Sequence, residues 1–173
     1  IGCLDKNGRI TSDSEFGGIA YCFMQDSRDN IWIGTKGEGV FKFNKDENKL
    51  YSVAQYKSVP GDVNSISNNN IYSIYEDSRG RIWIGTYGGG INLVVDNDYG
   101  ITFVNKNNLL SNYPYDIGSK VRVVSEDKWG NIFVGSTMGL IAFPGDFIGF
   151  DSILYSVFHK NDSDYSIKSN DVY

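Results

Sequence analysis

Apolar residues fill both parities of several short runs in this chain, a pattern that neither an amphipathic helix nor a one-sided strand produces. In Ile82-Trp83-Ile84-Gly85-Thr86 the Trp points to one face of a strand and the two Ile to the other. Leaving either face in water forfeits about 1.5–3 kcal/mol per large side chain. The sheet is therefore covered on both sides. The pattern recurs as Ile31-Trp32-Ile33-Gly34-Thr35 and Ile132-Phe133-Val134-Gly135-Ser136, at spacings of 51 and 50 residues. Extending the register makes Ala20, Ile71, Val121 and Val172 equivalent, with units over 20–70, 71–120 and 121–171, and 172–173 opening a further one. Residues 1–19 close a preceding unit, of which 1–12 read as its last two strands around the turn Asp5-Lys6-Asn7-Gly8.

Within one unit, turn signals separate four short strands. In the middle unit they are expected at about 71–76, 81–86, 90–95 and 100–104. A four-stranded antiparallel meander repeated with both faces buried is what a β-propeller supplies, because each blade packs between two neighbours. A two-layer sandwich demands clean alternation instead. Passing from the outermost strand of one blade to the innermost of the next crosses ~14 Å, which the gaps 54–70, 105–120 and roughly 159–170 span easily. The fold class is all-β, a partial propeller of about three and a half blades.

Each turn between the first two strands carries a related motif: Gln25-Asp26-Ser27-Arg28-Asp29, Glu76-Asp77-Ser78-Arg79-Gly80 and Glu126-Asp127-Lys128-Trp129-Gly130. Asp26, Asp77 and Asp127 are placed to accept backbone N–H groups two residues on, and Gly80 and Gly130 to take the left-handed conformation that closes the loop. Asp29 replaces that Gly at modest cost. Recurrence once per blade assigns these acids to turn capping rather than to catalysis or calcium. Trp32, Trp83 and Phe133 are assigned to packing between blades.

The stretch Ile71 to Ile91 is similar to the two-component regulator propeller repeat, and Asn64-Ser65-Ile66-Ser67-Asn68-Asn69 resembles its usual lead-in. The third unit departs from the pattern, with Phe133 for Trp and one residue fewer in its Gly-rich turn. The resemblance implies a fragment of the periplasmic sensor domain of a hybrid two-component histidine kinase, of the kind carbohydrate-foraging gut bacteria use to detect oligosaccharides. In that family paired propellers precede a small β-domain, a membrane helix, the kinase and often a receiver and DNA-binding domain. On this expectation the fragment is not itself an enzyme, and its partners are the rest of the ring and the downstream receptor domains.

Composition narrows the alternatives. A net charge of −5 without a Lys/Arg cluster disfavours nucleic acid and anionic membrane surfaces. No run approaches the ~20 apolar residues of a membrane span. Cys3 and Cys22 allow one disulfide in an oxidising compartment, but Cys22 falls at a strand position matched by Ser73 and Val123, which favours free, half-buried thiols. No catalytic residue, cofactor or metal site is expected: His159, the only histidine, follows the last strand of the third blade, and no Cys/His metal spacing occurs. Gly37-Glu38-Gly39 and Gly88-Gly89-Gly90 lie between strands, as tight turns rather than phosphate cradles. The Asp turns also differ from the sialidase Asp-box, since Gly follows Asp by three residues rather than two.

With strand directions alternating, the turns between second and third strands share one face of the disc with the connections between blades. Lys36, Glu38, Tyr87, Tyr113 and Tyr115 fall on that face, where aromatic planes beside polar groups suit a sugar ring. Trp129 lies on the opposite face, at a turn tip where the other blades carry Arg28 and Arg79, and marks a possible protein contact. The competing readings are a polysaccharide lyase or hydrolase, and a structural propeller that binds proteins. The edges of an incomplete ring also predict self-association.

Overall fold

The computed structural model describes residues 2–4, 10–12, 18–45, 51–161 and 166–173. A two-stranded antiparallel sheet of β1 (Gly2–Leu4) and β2 (Ile10–Ser12) precedes three four-stranded meanders. The first contains β3 (Ala20–Gln25), β4 (Ile31–Thr35), β5 (Val40–Lys45) and β6 (Tyr51–Tyr56). The second contains β7 (Ile71–Glu76), β8 (Ile82–Thr86), β9 (Gly90–Asn97) and β10 (Gly100–Val104). The third contains β11 (Val121–Glu126), β12 (Asn131–Ser136), β13 (Leu140–Pro144) and β14 (Ser156–Phe158). The first strands of successive sheets lie against one another, so the meanders fan outward from β3, β7 and β11 as blades of a partial β-propeller. The expected turn Asp5–Gly8 lies outside the described residues.

Three segments differ from the sequence pattern. The connection expected from residue 54 starts later, because Ala54, Gln55 and Tyr56 continue the ladder opposite Lys42, Phe41 and Val40, and the Tyr56 ring packs edge-on against Phe103 of the next blade. The connection 105–120 is not all loop: Tyr115–Gly118 forms the single helical turn α1. In the third blade the segment between β13 and β14 is a long excursion rather than a hairpin, with Phe147 set edge-on to Trp83 and Ile153 buried.

The turn aspartates hold two groups at once. Asp77 accepts the backbone N–H groups of Arg79 and Arg81 on Oδ1 (3.0 and 2.9 Å) and the indole N–H of Trp83 on Oδ2 (2.9 Å). Asp26 does the same for Arg28, Asn30 and the Trp32 indole (3.0, 2.8 and 2.8 Å). Phe133 offers no indole, and Asp127 Oδ2 instead accepts the Asn131 side-chain amide at 2.9 Å. The third residue after each Asp is left-handed, with φ of 65° at Asp29, 72° at Gly80 and 84° at Gly130. Fixing the indole fixes the core. Trp32 packs with Ile71, Ile84 and Phe103 of the next blade, and Trp83 with Val121, Ile132 and Phe143 of the one after.

Two further devices join neighbouring blades. A Cβ added to Gly34 would lie 2.6 Å from Ile71 Cγ2, and one on Gly85 would lie 2.5 Å from Val121 Cγ1. At the third junction Gly135 stands against Val172, whose carbonyl oxygen would be 2.8 Å from such a Cβ. Each second strand thus leaves a hydrogen-lined seat for the β-branched residue that opens the next blade. At the opposite rim, Ser27 donates its N–H and hydroxyl to the two carboxylate oxygens of Glu76 (2.7 and 2.6 Å), and Ser78 binds Glu126 in the same way (2.7 and 2.8 Å). The acid before each turn Asp therefore clasps the preceding blade rather than its own turn. Gln25 stands at the acid position of the first blade and Lys128 at the serine position of the third.

Two predictions follow the geometry. Gly85→Ala drives a methyl into Val121 and destabilises the chain by about 1–3 kcal/mol in urea denaturation, a range typical of overpacking; an unchanged midpoint contradicts the seat. Burial pushes the Asp77 carboxyl up, but the bonds from Trp83 and Arg81 and the Arg81 charge outweigh it, so its pKa falls below the ordinary value of 3.8. A lowered folded-state pKa contributes stability that is present above the unfolded value and lost as pH falls through the folded one. Asp77→Asn therefore lowers stability at pH 7 and flattens its decline below about pH 4, measured by urea midpoints across the acid range.

Candidate functional site

The strand pairing has an irregularity at one place in every blade. The register shifts between Ala20 and Cys22, between Ile71 and Ser73, and between Val121 and Val123. Such a bulge takes one residue out of the ladder and re-aims its side chain. The extruded residues are Tyr21, Tyr72 and Arg122, and Tyr173 holds the equivalent position after Val172. Since the first strands converge, these four side chains converge as well.

They form a continuous stripe across the blades. The rings of Tyr21 and Tyr72 have centroids 4.7 Å apart, and Tyr72 stacks on Tyr87 at 5.0 Å with 26° between planes. The Arg122 guanidinium lies 5.7, 5.4 and 5.3 Å from the ring centroids of Tyr72, Tyr87 and Tyr173. Its Nε donates to Asp171 Oδ1 at 3.2 Å, and the Tyr173 hydroxyl donates to Asp171 Oδ2 at 2.8 Å. Lys120 Nζ stands 5.5 Å from the Tyr87 ring. Tyr21 and Tyr173 are 40% and 81% exposed. The Tyr72 phenol is pushed up by burial and by its hydrogen bond with Tyr21, and the Asp171 carboxyl is held down chiefly by the Tyr173 hydroxyl.

The five residues expected on the loop face separate. Tyr87 lies in the stripe. Tyr115 is half-buried beside it, donating its hydroxyl to Gly88 O at 2.6 Å while Lys106 Nζ sits 3.3 Å above its ring. Lys36 is exposed at the position equivalent to Tyr87, one blade earlier. Glu38 is engaged with Lys57 at 2.6 Å. Tyr113 is 5% exposed, its hydroxyl bonded to Gly118 O at 3.0 Å and its ring edge-on to Tyr155, so its role is in packing. Trp129 is 74% exposed on the opposite face, with Lys128 Nζ 4.4 Å from its ring. Tyr21, Tyr72, Arg122 and Tyr173 share one position of the repeat, following Ala20, Ile71, Val121 and Val172, and that recurrence of large polar-tipped residues was the available signal.

Elsewhere the chemistry is satisfied or sparse. A groove of about 330 Å³ at the turn rim between the first two blades is lined by Arg28, Lys42, Arg81 and Asp96 among others, but Lys42 is paired with Asp96 (3.2 Å) and Arg81 with Asp77 (2.7 Å). Cys22 is a free thiol pushed up to about 12 by burial. His159 is exposed, and the described residues contain no group of three or more His, Cys, Asp or Glu placed to hold a metal. No helix among the described residues is long and apolar enough to cross a membrane.

Residues 14–37 and 65–88 match the model of the two component regulator propeller. Those two segments carry the two-component regulator propeller repeat. Both matched segments run through a first strand, the Asp turn and a second strand, the elements that build the seat and the indole clamp. Over 68 residues the chain is 35% identical to Histidine kinase P4 of Formosa agariphila, a stretch covering 39% of this chain and 5% of the kinase. The extracellular domain of a hybrid two component system of B. thetaiotaomicron superposes with a TM-score of 0.61 at 22% identity, over 90% of this chain and 20% of that one. PorZ, an essential surface component of the type-IX secretion system of Porphyromonas gingivalis, superposes at 0.55 with 18% identity, over 86% and 22%. These solved structures share the propeller fold. The matched stretches span about a twentieth of the kinase and about a fifth of the solved chains.

Proposed function

We propose that this chain is a segment of the extracytoplasmic, periplasmic sensor region of a hybrid two-component receptor, and that its stripe face binds an oligosaccharide. The regulator propeller repeats and the 35% identity to a histidine kinase support the receptor role. The observation that carries the ligand role is the aromatic stripe. Partly exposed rings from the first two blades and from Tyr173, with a guanidinium and a carboxylate set among them, offer the stacking planes and polar partners that a sugar uses. In this reading the kinase activity belongs to the whole receptor, and the exposed Trp129 turn on the far face is free to meet its other domains.

Calorimetry with a panel of neutral and acidic oligosaccharides tests the ligand role. At least one member is expected to bind, and Tyr72→Ala to weaken that binding tenfold or more while the melting curve stays cooperative. A folded chain that binds no member of the panel contradicts the proposal.

A further inference from the structure

The second position of the first strand reads Tyr21, Tyr72, Arg122 and Tyr173, so a cation interrupts an otherwise aromatic series. Three rings flank its guanidinium, which fixes its plane and thins the water around it. Asp171 occupies the Nε edge, and the second oxygen of Asp171 is itself taken by the Tyr173 hydroxyl. Among the described residues only Nε of Arg122 is hydrogen-bonded, which leaves both terminal nitrogens as donors toward a ligand. Lys120, whose Nζ stands 5.5 Å from the centroid of the same Tyr87 ring, has no carboxylate partner among the described residues. Two cations thus face one carboxylate here, in a chain whose net charge is −5.

We infer that this stripe selects acidic oligosaccharides, a uronate carboxylate being taken by the terminal nitrogens of Arg122 and by Lys120 while neighbouring sugar rings rest on the exposed Tyr21 and Tyr173. The inference rests on the oligosaccharide reading above and adds its ligand class. A planar guanidinium with its third edge already satisfied matches a carboxylate through two parallel N–H bonds. The tyrosines supply sequence-independent stacking, and the cations supply the choice. A neutral sugar meets the same rings but offers Arg122 only uncharged hydroxyl acceptors, and the charge-assisted pairing it forgoes carries the discrimination.

The test is calorimetry on the whole chain with trigalacturonate, trimannuronate and a glucuronate-bearing xylotriose, each beside its neutral counterpart. The wild type, Arg122→Gln and Lys120→Gln are compared, with thermal melting as the fold control. At least one acid is expected to bind tenfold or more tighter than its neutral counterpart. Arg122→Gln should erase that preference by weakening the acid tenfold or more and its neutral counterpart by a much smaller factor, and Lys120→Gln should reduce it in part. If the neutral sugar binds as tightly as the acid, or the preference survives both substitutions in folded protein, the acidic selectivity is overturned and the sensor reading stands. If no sugar of either kind binds the folded wild type, both fall.

Discussion

The junction between two blades is decided where a β-branched side chain enters the space over a glycine. Ile71 over Gly34 and Val121 over Gly85 sit closer than any side chain on the second strand would permit. That approach brings the first strands together, and it places each tryptophan against the following blade. The Asp turn then holds the indole from one rim, and the Ser–Glu clasp ties the same rim to the next blade. Seat, indole and clasp each join one blade to its neighbour, so the lateral order of the sheets depends on all three. The seat comes first, because without it the strands do not approach.

The same close approach sets up the functional face. Turning residue 71 or 121 inward over a glycine, within a strand that continues its ladder two positions later, requires a bulge. The extruded residue must point the other way. Repeating that geometry in successive blades aligns the extruded side chains, and the sequence uses those places for Tyr, Tyr, Arg and Tyr. A packing requirement thus produces an array of exposed side chains whose identities are free to follow a ligand.

Much of the architecture was readable from period alone. The recurrence of Ile-Trp-Ile-Gly-Thr, with apolar residues on both faces, requires a sheet covered twice, and the strand limits of the middle unit fall within a few residues of the observed ones. The extension of β6 to Tyr56 was hidden, because Ala54-Gln55-Tyr56 has no strand pattern of its own and is held by pairing with Val40–Lys42. The Ser–Glu clasp was hidden for a different reason. Its partners are 48 or 49 residues apart, and the acid looked like part of its own turn. The stripe is obscured because the residues that break the repeat lie in loops, whereas Tyr72 and Arg122 occupy a repeated position inside a strand. Tyr113 shows the converse: an aromatic loop residue that its own backbone encloses.

The dependence of the fold on the seat is tested most directly by a double-mutant cycle between Gly85 and Val121 in urea denaturation. If the two share one space, Val121→Ala relieves the clash made by Gly85→Ala, and the double variant is more stable than the sum of the single losses implies by about 1 kcal/mol or more. Strictly additive losses would mean that the glycine is not there to receive the valine, and would contradict the account.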